Sequence, residues 1–283
     1  LDATINFGQV AFNYPALATG YRILASNAVP STSIKPQRHF DTLVWTGNGS
    51  ASHTITGLEF KPDFVWLKSR SHTKWFILVD SVRGNSKNIS SNDPAAEFTE
   101  THIPSFNEDG ITVADIDSGT ANENSYTYVA WCWKAGGAAV SNSDGSITSS
   151  VSVNQEAGFS IVTFTGTGSA ATVGHGLSKA PDVVITKRRN ASQSWFTHHK
   201  DLSNGHYIRL DVNNAQGGDT NVYPNNMSTA NTFGVGGDNG VNGSGDTYVS
   251  YCWHSVPGYS KFGTWEGNGL SLIHISEPTR QLA

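Results

Sequence analysis

The sequence predicts an all-β protein made of tandem antiparallel β-sandwich repeats, two complete and a third truncated. Three observations predict it: a composition poor in charge but rich in glycine and aromatics, short apolar runs separated by Asn-Gly and Asp-Gly turns, and an internal duplication. The chain has 283 residues, 14% of them charged and 11% aromatic, with 29 Gly and 8 Trp. A coiled coil or long-helix protein would carry far more charge. The net charge is −5 and no Lys/Arg block stands out, so no nucleic-acid partner is expected. No apolar stretch approaches the roughly 18 residues of a membrane span, so none is expected either.

The duplication organises the chain. Phe40 to Ser50 aligns with Phe159 to Ser169, and at the same offset Pro62-Asp63 meets Pro181-Asp182, Lys68 meets Lys187 and Arg70 meets Arg189. One inserted residue later Trp75-Phe76 meets Trp195-Phe196, and Thr127 to Trp133 meets Thr247 to Trp253. Trp265 to Gly269 repeats Trp45 to Gly49 and opens a third copy. These matches place repeat 1 at 39–137, a β-hairpin linker at 138–156, repeat 2 at 157–257 and the start of repeat 3 at 258–269.

Taken in order, the elements read as follows. Phe40 to Ser50 is a strand closed by the Asn48-Gly49 turn. Phe64 to Leu67 and Val183 to Ile185 follow Pro-Asp pairs that mark strand starts. Trp75 to Val79 is apolar on both faces, whereas Trp195 to His199 reads as its wetter counterpart. Asp109-Gly110 and Asn204-Gly205 suit hairpins. In Thr127 to Trp133 neither alternating face carries charge, which describes a strand covered on both sides in mid-sheet. Between the copies, Asp144-Gly145 joins Ala139-Val140 to the alternating Ile147, Ser149, Val151 and Val153, an inserted hairpin arm.

Few residues point to chemistry. Cys132 and Cys252 hold equivalent positions and are expected as buried free thiols in separate cores. His198-His199 is the one adjacent histidine pair, and its members face opposite ways on a strand; no metal site is expected. Asp238 to Asp246, and Asp115, Asp117, Asn122 and Glu123 in the first copy, could offer oxygens to calcium, although Asx-rich turns have the same composition. Asn-X-Ser sequons occur at Asn48, Asn88, Asn190, Asn226 and Asn242. Trp75 and Trp195 follow polar loops and are the candidates for stacking on a glycan, against the commoner fate of a core indole. No phosphate loop, zincin helix or nucleophile elbow occurs, and neither catalytic residues nor a cofactor is expected.

The repeat resembles a domain of structural proteins from marine tailed bacteriophages. The resemblance rests on Phe40 to Ser50, Pro62 to Lys68, Asp80 to Gly84, Ser105 to Val113 and Thr127 to Gly137, and in the second copy on Phe159 to Ser169, Val173 to Leu177, Gly245 to Trp253 and Gly258 to Gly263. Asp80-Ser81-Val82-Arg83-Gly84 has no counterpart in the second copy, so its role is confined to one repeat. Asn6 to Gln9 with Phe12, Tyr14-Pro15 and Gly20 to Arg22 resembles the last strands of a SPRY-like domain, making 1–38 a remnant of one. Leu270 to Arg280 resembles translated read-through of a sequencing-library adapter, making 270–283 an artefact of a metagenomic fragment. The resemblance implies a non-enzymatic, tail-associated virion protein that contacts other virion subunits or a host-surface glycan, with a homo-oligomer left open. The alternatives are a glycan-degrading tail enzyme and a secreted bacterial glycan-binding adhesin.

Overall fold

The computed structural model describes residues 34–117, 119–225 and 227–265. The expected SPRY-like remnant up to residue 33, the end of the third copy and the 270–283 tail lie outside the described residues. Within them the protein is all-β, with one short 3-10 turn at Pro36–Arg38.

Repeat 1 contains β1 (Phe40–Thr46), β2 (His53–Thr56), β3 (Phe64–Ser69), β4 (Ile77–Asp80), β5 (Lys87–Ser90), β6 (Phe98–Thr99), β7 (Ser105–Asn107), β8 (Gly110–Val113) and β9 (Thr127–Trp133). They form a large sheet of order β1-β9-β3-β4-β5-β6 and a small one of order β2-β8-β7. Repeat 2 follows with β10 (Val140–Asn142), β11 (Ser149–Asn154), β12 (Phe159–Thr165), β13 (Ala171–Gly174), β14 (Val183–Arg188), β15 (Phe196–His199), β16 (His206–Arg209), β17 (Gly217–Gly218), β18 (Thr232–Val235) and β19 (Thr247–Trp253). Its large sheet runs β10-β11-β12-β19-β14-β15-β16-β17 and its small sheet pairs β13 with β18.

The two repeats share one register. Phe40 pairs with Trp133 as Phe159 does with Trp253, and Phe64 pairs with Trp133 as Val183 does with Trp253. The turns after β1 and β12 match as well. Gly49 and Gly168 adopt φ of +72° and +74°, a left-handed conformation that glycine tolerates without a Cβ clash. Asn122 and Asn242, both fully buried, close these turns: each accepts a backbone N–H, from Asn48 and Thr167, and donates to a carbonyl, of Ser50 and Ser169.

Alternation along the strands builds three apolar layers. On β3, Val65 and Leu67 enter the core of repeat 1 with Tyr128, Ala130 and Cys132 of β9. In repeat 2, Val162, Val184, Tyr248 and Cys252 enter the equivalent core. The opposite faces of the two large sheets meet each other: Phe64, Leu78 and Ile89 of repeat 1 pack on Phe159, Ile161, Val249 and Tyr251 of repeat 2. That contact explains why β9 and β19 carry no charge on either face.

Two sequence expectations change, and two further stretches find their place. The 138–156 hairpin forms, β10 pairing with β11, but this insertion is not outside the core unit, because β11 pairs along its length with β12 and buries Val151 in the second core. The run after Trp195 is not wetter than its twin, since Phe196, Thr197 and His198 are all buried. The start of the third copy, over residues 258–265, forms no strand; an isolated Val256–Ser260 bridge closes a turn there, and Tyr259 and Phe262 line a groove with Phe40, Trp133 and Trp253. The Asn88 and Asn242 sequons are fully buried and closed to a glycan.

Candidate functional site

The two candidate tryptophans occupy equivalent places after β3 and β14, on loops held by equivalent lysines. Lys68 Nζ donates to the carbonyls of His72 and Lys74, at 3.1 and 2.8 Å. Lys187 Nζ donates to Gln193 and, across the repeats, to Pro94, at 2.6 and 2.9 Å. Burial lowers the pKa of both ammonium groups, that of Lys187 to about 8.

The environments of the tryptophans then diverge. Trp75 is 56% exposed, whereas Trp195 is fully buried in the inter-repeat layer, where its indole N–H donates to Ser90 O at 2.8 Å. Trp195 is thus corrected from a glycan platform to a packing residue, because repeat 1 covers it. Near Trp75 the His72 and Tyr126 rings stack with centroids 5.1 Å apart, and Lys74 Nζ donates to Asp117 O.

Beside that loop stands a cluster the sequence reading did not assemble. His102 is 1% exposed, and its Nε2 lies 3.4 Å from Glu100 Oε2 and 3.4 Å from Asp117 Oδ1. The other Asp117 oxygen accepts the Thr120 hydroxyl. Burial opposes ionisation of Asp117, but the His102 ring, the Thr120 hydroxyl and the Lys74 ammonium outweigh it and hold the carboxyl at about 2.

The Asx-rich loops are otherwise consumed by their own geometry. Asp238 accepts the Gly240 N–H, Asp246 pairs with Arg188 at 2.6 Å, and Asn122 serves the turn described above. Asp115, Asp117, Asn122 and Glu123, which could have offered oxygens to calcium, are thereby divided. His198 faces Tyr223 in the second core while its neighbour His199 turns towards Asp201.

The run Asp80 to Gly84 turns out to join the repeats. Arg83 donates through Nε to Asp80, through Nη1 to Lys87 O and Glu97, and through Nη2 to Leu78 O and the Tyr251 hydroxyl. Glu97 in turn accepts two bonds from Arg189, at 2.9 and 3.0 Å. The Arg83 and Asp80 side chains are fully buried. The run is used in one repeat because it reaches across to Tyr251 of the other, and Glu97, which it holds, reaches Arg189 there.

A family model described as a domain of unknown function (DUF7483) matches residues 35–272. The chain belongs to that family. The DUF7483 match covers both repeats. No curated protein matches, and no solved structure matches. Among the described residues no helix is long and apolar enough to cross a membrane.

Proposed function

We propose that this chain is a non-enzymatic, tail-associated structural component of a bacteriophage virion, presenting its sandwiches to a host surface or to neighbouring subunits. The reading is supported by the resemblance to marine phage structural proteins, whose carrying runs coincide with the framework strands β1, β3, β8 and β9. The observation that carries it furthest is the welding of two same-register sandwiches into one block by an aromatic layer and a buried ion-pair network. Such a block suits a rigid spacer on a particle. Trp75, exposed beside the His72–Tyr126 stack, is the residue offered to a sugar face.

Recovery of the full-length gene with its flanks tests this reading. Capsid, portal or tail genes alongside are expected. A secretion signal upstream, with no virion genes nearby, would replace the virion reading with the secreted adhesin. Glycan-array binding lost in Trp75→Ala would assign the host contact to that loop.

A further inference from the structure

We propose that Glu100, His102 and Asp117 bind a divalent transition-metal ion of the zinc class. Nε2 of His102 stands 3.4 Å from an oxygen of each carboxylate, and all three ligand atoms lie within 4.8 Å of one another. Ligand atoms at 2.0–2.2 Å from a tetrahedral ion are separated by about 3.3–3.6 Å, so the His102 distances match the edges of such a site. The contacts are close enough for an ion pair but are not aligned as hydrogen bonds: neither nitrogen of this buried ring, nor Asp117 Oδ1, has a partner of acceptable geometry. Thr120, bonded to the other Asp117 oxygen, turns Oδ1 towards the ring, as an outer partner orients a metal-binding carboxylate.

The sister repeat serves as an internal control. Ala114 N–H donates to His102 O at 3.0 Å, and Gly236 N–H donates to Val222 O at 2.9 Å, so Val222 occupies the place of His102. Val222 is 2% exposed within the second core. The scaffold therefore accepts an aliphatic side chain at this point, and the fold does not require an imidazole there. An unpartnered buried polar group is an arrangement that a fold disfavours, whereas a dication would satisfy all three groups and balance both negative charges. Glu100 and Asp117 are 45% and 35% exposed. The position left open by three protein ligands consequently faces solvent, as in sites that take an exogenous oxygen donor.

The test titrates the untagged, chelator-stripped chain with Zn²⁺ by calorimetry and with Co²⁺ by visible absorption. One ion per chain is expected, with four- or five-coordinate cobalt bands and a rise in Tm on zinc addition. His102→Val, which copies the sister repeat, and Asp117→Asn should each weaken binding at least tenfold, and metal-free His102→Val should melt no lower than metal-free wild type. Absence of saturable binding at one ion per chain, or equal binding by His102→Val, overturns the proposal. So does a metal-free His102→Val that melts well below wild type, because it would make His102 a structural histidine.

Discussion

Arg83→Met tests the inter-repeat network most directly. The substitution keeps much of the side-chain volume but removes five hydrogen bonds and the positive charge facing Asp80 and Glu97. Asp80, fully buried, would keep the backbone N–H groups of Val82 and Arg83 and the Tyr251 hydroxyl, while Glu97 would keep Arg189. Stranding one member of a buried ion pair costs about 3–5 kcal/mol, and the three donors left on Asp80 put the expected loss near the lower end. At about 2–4 °C per kcal/mol for a chain of this size, Tm should fall by roughly 6–12 °C in scanning calorimetry of the full chain. Adding Asp80→Asn should restore part of that loss, since the stranded charge is then gone. A fall below about 2 °C in the single variant, or no recovery in the double, would refute the assignment of the network as the weld between repeats.

Other outcomes follow from the same structure. Trp195→Ala should destabilise by about 3–5 kcal/mol, measured by urea unfolding, while Trp75→Ala should change stability by less than about 0.5 kcal/mol; equal effects would contradict their different burial. Burial pushes both thiols far above the ordinary range, so Cys132 and Cys252 should resist a thiol reagent in the native chain and react fully in denaturant. Burial would raise the Glu97 pKa, but hydrogen bonding and charge from Arg189 and Arg83 lower it below its ordinary 4.5. Its stabilising contribution is thus complete above that pH and is lost as pH falls through the lowered value. Denaturation curves between pH 5 and about 3 should show a shallower acid loss for Glu97→Gln than for wild type.

The duplication was legible because offset and register are carried along the chain: Pro62-Asp63 and Pro181-Asp182 stand immediately before the equivalent strands β3 and β14. The two Asp side chains show why these pairs recur. Each accepts the backbone N–H of the segment leaving the last strand of its repeat, from Ala135 and Ser255 respectively. The divergence of the two tryptophans was not legible, because Trp195 is closed between Tyr251 of its own repeat and the neighbouring repeat, a contact between copies that no single copy displays. The Glu100–His102–Asp117 cluster was missed for a related reason. A search for histidines shared by both copies passes over a group confined to one, and Asp117 lies on a separate loop. The signal that could have found it is the Glu100-X-His102 spacing, which puts two ligand types on one side of an extended segment.

The inter-repeat contact also fixes the order of the copies along the gene. Matching positions now serve unlike surroundings: Ile161 is fully buried under repeat 1, while Thr42, its equivalent, is exposed near Val44, itself 63% exposed. An exchange between the two homologous stretches would place a threonine hydroxyl in the dry layer and an isoleucine on the outside, and would carry Asp80 and Arg83 away from Tyr251. Crossovers that shuffle or delete one copy should therefore yield ill-fitting chains, although each half retains the other's topology.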